Sequence, residues 1–259
     1  MTHVDTDGNR MIWDETLRQW VPVTGSMSPA ELANEINPIL SSRFAPKTGS
    51  ESYVAQPMLW LPGVNGNYVS CPDSAALDIT GSIEIVVLAG LDDWTPAANS
   101  TLVGKWATGS YLVRVTTTGR LAYFDGTAYS AGVFSDVLTR TDGTMYWSKI
   151  THNTTTGLVS FYTADYANSL SEPTSWTLVS STGSTTGTRS ATTDVLTIGA
   201  NDNTGTTTPA AGKFGRVIIR NGIGGTVVAD WSSAIPATRT RDAYGNIFTL
   251  NGTGSGFQA

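Results

Sequence analysis

The sequence predicts an all-β sandwich or jelly roll, and three observations predict it. Threonine, whose β-branched side chain favours pleated strands, accounts for 39 of the 259 residues. After residue 55, short apolar or alternating segments are separated by Gly, Asn and Asp at intervals of roughly 8–12 residues, a spacing typical of sandwiches and jelly rolls. The same region has neither a convincing helical period nor a repeat of fixed length.

Residues 1–55 are predicted to form an N-terminal anchor and oligomerisation segment. Trp13 and Trp20 anchor two short strands around a tight turn. A helix start follows at 28–31, where Ser, Pro and Glu occupy the cap, first-turn and third positions, and Pro38 keeps the helix short or kinked. One apolar stripe on this helix comprises Leu32, Ile36 and Ile39. So narrow a stripe must pack on the following domain or on copies of itself, and a short trimeric bundle is the functional alternative. A Pro/Gly/Ser-rich linker then leads to residue 55.

Residues 56–259 are predicted to be the sandwich domain. The run at 83–89 is almost wholly apolar, which indicates a strand buried on both faces. A three-stranded meander is predicted over 111–129 and a hairpin over 145–163, with its turn at Thr156-Gly157. Further strands are predicted at 195–199, 214–220, 227–231 and 247–250.

Composition excludes several classes of function. The net charge is -6 with only 15 basic residues, so no basic footprint for nucleic acid is present. No apolar run approaches the ~20 residues of a membrane span. A single cysteine, Cys71, excludes an intrachain disulfide and a Cys-based zinc cluster. The first residues lack the basic and apolar regions of a signal peptide, so we expect synthesis in a cytoplasm without export through a cleavable signal.

One stretch carries a family resemblance. The residues from Leu61 to Gly81 (LPGVNGNYVSCPDSAALDITG) resemble the opening of laminin-G-like, concanavalin A-like jelly-roll domains, in which such a stretch precedes a long core strand. The meander, the Trp147 hairpin, the strand at 196–200 and Asp230-Trp231 follow in the order of that family. The resemblance covers Leu59 to Leu250 and implies a concanavalin A-like β-sandwich.

Within that family, this domain resembles the jelly-roll domains found in virion proteins of tailed bacteriophages. Three segments carry this likeness: Trp176-Thr-Leu, the closing segment from Asp242 to Gly252, and the N-terminal segment from Ile12 to Val23. It implies a minor tail or fibre protein, located in the virion and most simply in the tail. The expected partners are other virion proteins, a host-surface glycan and two further copies of the chain in a homotrimer, without nucleic acid or membrane.

The sequence contains few of the residue patterns that catalytic sites require. Glycoside hydrolysis generally needs two carboxyl groups at a set separation, yet Glu84 and Glu172 are the only glutamates after residue 55, and no Asp pair has a suitable spacing. His152 follows a predicted strand without a nucleophile elbow. Cys71 is expected to be a buried apolar filler. The sequence therefore predicts a protein that is not an enzyme, with a glycan depolymerase as the alternative.

Sugar binding fits the residues better, because sugar sites combine an aromatic ring with Asp and Asn side chains on loops. Two segments have this composition, and they supply the candidate ligand-binding residues Asp92, Asp93, Trp94, Trp106, Asn201, Asp202 and Asn203. For Trp106, as for Trp147 and Trp231, a position in the core is the favoured alternative, whereas a Pro and two Asp place Trp94 in a surface turn.

No cofactor is required by this interpretation. Calcium held by Asp92, Asp93 and Asp202 is one alternative, and Asx-turns made by the same residues are another. The function predicted from these observations is host-surface adhesion by a virion protein. A decoration module that binds no glycan is the third alternative.

Overall fold

Three short N-terminal strands form a separate small sheet. The computed structural model describes the backbone of these strands and, beyond them, residues 56–258 except 108, 127–131, 184–187, 203 and 236. Strands β1 (Thr2–Val4), β2 (Arg10–Asp14) and β3 (Gln19–Pro22) pair in that order. Trp13 lies opposite Trp20 in the antiparallel register, as the predicted strand pair requires. The helix predicted to carry Leu32, Ile36 and Ile39 lies outside the described residues, and the domain boundary at residue 55 stays a prediction.

The remaining strands form two antiparallel sheets. Sheet I contains β5 (Tyr68–Cys71), β7 (Ser100–Lys105), β8 (Tyr111–Val115), β9 (Arg120–Phe124), β10 (Val133–Val137), β14 (Leu196–Ile198), β17 (Arg239–Arg241) and β18 (Ile247–Asn251). Sheet II contains β4 (Met58–Pro62), β6 (Ile83–Leu91), β11 (Tyr146–Asn153), β12 (Leu158–Asp165), β13 (Thr177–Gly183), β15 (Ala211–Asn221), β16 (Thr226–Ser232) and β19 (Gly256–Gln258).

The strand orders are those of a jelly-roll sandwich. Sheet I runs β10-β9-β8-β7-β14-β5-β18-β17, and sheet II runs β13-β12-β11-β6-β15-β4-β19, with β16 paired to β15. Neighbours distant in sequence, such as β6 and β15, show that the chain crosses repeatedly between the sheets. Helix in the described part of the chain is limited to one 3-10 turn, Ala75–Leu77, and none of it is long and apolar enough to span a bilayer. The predicted all-β jelly-roll class is confirmed.

Local predictions within the sandwich are also confirmed. The hairpin of β11 and β12 turns between Asn153 and Leu158, and β8 pairs with β9. The third strand of that meander is β10, at Val133–Val137, whereas the sequence predicted it at 127–129, which lies outside the described residues.

Strand β6 is buried on both faces, as its apolar run predicts. Ile85 and Val87 face the interior between the sheets. Val86 and Leu88 face the other side of sheet II, where residues 166–176 cover them. We call residues 166–176 the cover segment. Apolar side chains of this size contribute about 1.5–3 kcal/mol each when fully buried, so both contacts stabilise the centre of sheet II.

Residues predicted to be buried are buried. Cys71 is a free thiol exposed by only 1%, and Trp147 and Trp231 are exposed by 1% and 3%. Burial raises the pKa of Cys71 to about 12, because a thiolate would be poorly solvated there.

Two buried cations tie loops to one end of the sandwich. Lys105 Nζ lies 2.9 Å from a carboxylate oxygen of both Asp73 and Asp78. Arg189 donates from Nε to the Ile79 carbonyl at 3.1 Å and from Nη1 toward His152 Nδ1 at 3.0 Å. His152 is therefore a buried residue at a strand end, held by a guanidinium, rather than an accessible general base.

Candidate functional site

Two of the loops predicted to bind sugar meet at the other end of the sandwich. Residues 92–99 join β6 to β7, and residues 199–210 join β14 to β15. Asp92 N–H donates to the Ala211 carbonyl at 3.0 Å, and Thr101 N–H donates to the Thr208 carbonyl at 3.0 Å. The structure thus brings five of the predicted residues to one end: Asp92, Asp93, Trp94, Asn201 and Asp202. Asn203 lies outside the described residues.

The carboxylate of Asp202 is engaged within its own loop. It accepts hydrogen bonds from the backbone and hydroxyl of Thr204, both at 3.0 Å, from the backbone and hydroxyl of Thr206, both at 2.9 Å, and from the Thr207 hydroxyl. Burial alone would raise the pKa of Asp202, but the donors from Thr207, Thr206 and Thr204 outweigh it and hold the pKa below its usual value. Hydrogen bonds of this kind, from the following residues to one Asp carboxylate, are typical of Asx-turns, and they stabilise the conformation of the loop.

Asp93 in the neighbouring loop also accepts hydrogen bonds from its own loop, whereas, among the described residues, the Asp92 side chain does not. Asp93 Oδ1 accepts the backbone N–H of Thr95 at 2.7 Å and its hydroxyl at 3.1 Å, while Asp92 is exposed. Within the described residues, no three His, Cys, Asp or Glu side chains converge into a group that could hold a metal ion.

Trp94 is buried, which corrects the expectation of an exposed ring on a surface turn. Its side chain is 3% exposed. The guanidinium carbon of Arg140 lies 4.2 Å from the centre of its ring, the edge of Tyr146 packs at 6.0 Å, and its backbone N–H donates to Asp142 at 2.8 Å. The segment turns at the surface, but the Trp94 ring packs beneath the Arg140 guanidinium and is thereby buried.

Trp106 lies at the opposite end of the sandwich from those loops. It follows Lys105, which pairs with Tyr111 at the far end of β7. Its ring is 9% exposed and packs with Leu112, Ala122 and Phe124. The alternative that Trp106 belongs to a buried cluster is therefore confirmed, and the predicted residues do not form a single site.

The two glutamates that the sequence left unconnected meet on sheet II. Arg220 Nη1 donates to Glu84 at 2.8 Å and to Glu172 at 3.2 Å, and Nη2 donates again to Glu172 at 2.5 Å. Although burial alone would lower it, the bonds to Glu172 and Glu84 raise the pKa of Arg220. A glycosidase needs one carboxyl group free to deliver a proton, whereas one guanidinium engages both groups here. The triad instead fastens the cover segment to β6 and β15.

A polar pocket of about 430 Å³ lies beside the cover segment. We call it the Arg216–Asp230 pocket, after the ion pair on its wall. Arg216 donates to both oxygens of Asp230, from Nε at 2.7 Å and from Nη2 at 2.6 Å, and these bonds raise the pKa of Arg216. Its Nη1 donates to the Leu170 carbonyl at 2.9 Å. The remaining lining residues are mostly small and polar: Gln56, Asn168, Ser169, Ser171, Ser232 and Ala234.

Sequence reasoning missed this pocket because its walls come from distant segments. The signal present in the sequence was the group of small polar residues Asn168, Ser169 and Ser171, which lies between two predicted strands. Asn168 adopts φ +53, a left-handed conformation that Asn tolerates better than most residues.

Comparison with known proteins supports the fold. No family model matches the chain, and no curated protein matches it. A proposed carbohydrate binding protein from Bacteroides ovatus superposes with a TM-score of 0.58 and 14% identity, over 79% of this chain and 60% of that one. This chain therefore spans less than two thirds of that structure.

Two further structures are more distant. The CBM40 domain of a Ruminococcus gnavus sialidase, bound to α2,3 sialyllactose, gives a TM-score of 0.45 at 9% identity, over 62% of this chain and 90% of that one. A pentraxin from Limulus polyphemus gives 0.45 at 8% identity, over 67% and 79%. Strand order and the Bacteroides ovatus superposition together define an antiparallel jelly-roll sandwich.

Proposed function

We propose that the sandwich is a non-catalytic carbohydrate-binding domain and that the Arg216–Asp230 pocket is its sugar site. The observation that carries the proposal is the bidentate ion pair on the wall of a polar pocket of about 430 Å³. This volume lies within the ~300–1,000 Å³ of typical ligand sites. The similar structure from Bacteroides ovatus, proposed to bind carbohydrate, supports the same class of function.

The chemistry of the pair suits sugar hydroxyls. A hydroxyl donates one hydrogen and accepts at its lone pairs, so it can bridge a carboxylate and a guanidinium at once. Of the five N–H donors of a guanidinium, Arg216 uses one each for the two Asp230 oxygens and the Leu170 carbonyl, and the remaining donors are available. Because the pair is neutral overall, the site favours an uncharged polar ligand.

The test is binding to an array of bacterial surface glycans, followed by calorimetry with each glycan that binds. Ala234 is exposed and lines the pocket, so Ala234→Trp should fill it and abolish binding. Val64→Trp is the matched control, because Val64 is 57% exposed and lies in the loop between β4 and β5. Equal binding by both variants would refute the site, and no binding by the wild-type chain would refute the function.

We further propose that this domain serves adhesion in the virion of a tailed bacteriophage, as a minor tail or fibre protein. The sequence resemblance to such proteins supports this role. A homotrimer assembled through Leu32, Ile36 and Ile39 would add avidity to a weak sugar site. Light-scattering mass determination of the full chain tests the trimer, and a monomer would contradict it.

The alternatives predict other outcomes of the same work. A depolymerase would release oligosaccharides from purified capsule or peptidoglycan, and a decoration module would bind virion proteins but no glycan. We propose that binding needs no cofactor, so EDTA should leave glycan affinity unchanged. Loss of affinity in EDTA, restored by Ca²⁺, would support the calcium alternative instead.

A further inference from the structure

One arginine on the outer face of sheet I has aromatic neighbours. The antiparallel registers of β10, β9, β8 and β7 align one row of residues across the sheet: Phe134, Ala122, Arg114 and Thr101. Residues aligned in this way share one face of a sheet. Ala122 packs with Phe124 in a small apolar cluster that is separate from the core between the sheets, so the row lies on the outer face. We call Arg114, Phe124 and Phe134 the Arg114 cluster.

The guanidinium of Arg114 lies against an aromatic surface. Its carbon is 4.3 Å from the centre of the Phe124 ring, a distance at which the ring attracts the cation. The Phe134 ring packs nearly perpendicular to Phe124, with ring centres 6.3 Å apart, and Phe134 is 40% exposed. On the other side of Arg114, Thr101 is fully buried, and its hydroxyl lies 2.6 Å from Thr208 Oγ1. Arg114 therefore lies between an exposed aromatic ring and the loop at 199–210.

Arg114 has no acidic partner among the described residues. None of their ion pairs includes it. Burial lowers the pKa of Arg114 and is the one cause acting on it, whereas a carboxylate beside it would raise that pKa. Its Nε is buried and has no acceptor in the described part of the chain. Its Nη1 and Nη2 are not among the buried atoms that lack a partner, and they donate to no described residue, so they face solvent.

The exposed end of the guanidinium determines what it can bind. Nη1 and Nη2 each direct one N–H away from Nε, and these two N–H groups are parallel. The two oxygens of a carboxylate match such a fork. The exposed Phe134 ring suits the apolar face of a sugar ring. We propose that the Arg114 cluster binds a sugar that carries a carboxylate, with the Nη1–Nη2 fork on the carboxylate and Phe134 against the ring.

The surrounding charges favour an anion at this position. Arg120 lies two residues from Ala122 on β9 and therefore on the same face, and it donates from Nη1 to the Ser135 carbonyl at 3.1 Å rather than to an acid. Asp136 is exposed on β10 and contributes an opposing charge. Because the net charge of the chain is -6, general attraction of anions would not explain binding here. The Arg216–Asp230 pocket differs, since an aspartate neutralises its arginine.

The test is calorimetric titration of the full chain with sodium glucuronate, sodium acetate or glucose at constant ionic strength. It uses the Ala234→Trp variant, in which the proposed sugar pocket is filled, so that binding there does not contribute. Saturable binding of glucuronate, weaker binding of acetate and none of glucose are expected. Absence of glucuronate binding, or equal affinity for glucose and glucuronate, would overturn the proposal. Acetate models an acidic side chain, so equal affinity for acetate and glucuronate would overturn the sugar in favour of an acidic protein partner.

Substitutions in the same background test the two contacts separately. Arg114→Met should weaken glucuronate binding at least about tenfold, because hydrogen bonds to a charged group are lost. Arg114→Lys keeps the charge but loses the planar fork, so it should also bind more weakly. Phe134→Ala should weaken glucuronate binding about two- to tenfold and leave acetate binding unchanged. This exposed position keeps the test valid if the Arg114 variants do not fold. Unaltered glucuronate affinity in Arg114→Met or Phe134→Ala would overturn the proposal.

Arg239→Met is the matched control. Arg239 is exposed on β17, at the opposite edge of sheet I from β10, and its substitution removes the same charge. It should leave glucuronate affinity unchanged, and a loss equal to that of Arg114→Met would overturn the site. Glycan binding that distinguishes Ala234→Trp from Val64→Trp concerns the Arg216–Asp230 pocket alone. Failure of that pocket and failure of the Arg114 cluster are therefore separate results.

Discussion

Arg220→Met tests how the cover segment is held against sheet II. The substitution keeps most of the side-chain stem but removes the cation that joins Glu84 to Glu172. The side chains of Glu84 and Arg220 are only 8% and 16% exposed. Without Arg220, the hydrogen bond from Gly224 N–H to Glu84 at 3.2 Å remains, and the carboxylate has no cation.

The expected loss follows from that burial. Removing one partner of a buried ion pair typically costs about 3–5 kcal/mol. For a chain of this size, each kcal/mol lowers the melting temperature by roughly 2–4 °C, so we expect a decrease of about 6–20 °C. Glu84→Gln in the Arg220→Met background removes the stranded charge, and it should recover part of this loss.

Urea unfolding at pH 7, followed by tryptophan fluorescence, measures both variants. The reasoning is refuted if Arg220→Met is as stable as the wild-type chain. It is equally refuted if the double variant is no more stable than Arg220→Met, because the stranded Glu84 carboxylate would then not be the source of the loss. Because the cover segment forms one wall of the Arg216–Asp230 pocket, Arg220→Met should also weaken glycan binding.

Three further predictions concern single residues of the sandwich. Cys71, with its pKa raised to about 12 and 1% exposure, should resist iodoacetamide at pH 8 until the chain unfolds; rapid labelling of the folded chain would contradict its burial. The lowered pKa of Asp202 stabilises the fold above the unfolded value of about 3.9, and this stabilisation is lost as pH falls further. In Asp202→Asn, the free energy of unfolding should therefore decline less steeply below pH ~4, as measured by urea unfolding. An unchanged slope would contradict the stabilising role of the hydrogen bonds to the Asp202 carboxylate. Phe161→Ala, at a fully buried ring, should cost about 3–5 kcal/mol in the same assay, and a loss below about 1 kcal/mol would exclude a core position.

The features that the sequence predicted well are local. The run from Ile83 to Ala89 is apolar except for Glu84, and a strand with apolar side chains on both faces must be covered on both faces. The β11–β12 hairpin likewise follows from two short alternating runs and a Thr-Gly turn. Such patterns depend on neighbouring residues alone, so they can be read without knowledge of the fold.

The candidate site could not be predicted in this way, because its contacts join distant residues. Glu84 and Glu172 meet through Arg220 after the chain has crossed between the sheets several times. Trp94 occupies a surface turn by composition, yet its burial depends on Arg140, which arrives from the connection after β10. Nothing near Trp94 in the sequence indicates that partner.

The measurement that tests the central claim most directly is a crystal structure of the chain bound to a glycan identified on the array. We predict that the sugar lies in the Arg216–Asp230 pocket, with a hydroxyl bridging the Asp230 carboxylate and the Arg216 guanidinium. A sugar bound elsewhere on the sandwich, with this pocket empty, would contradict the account.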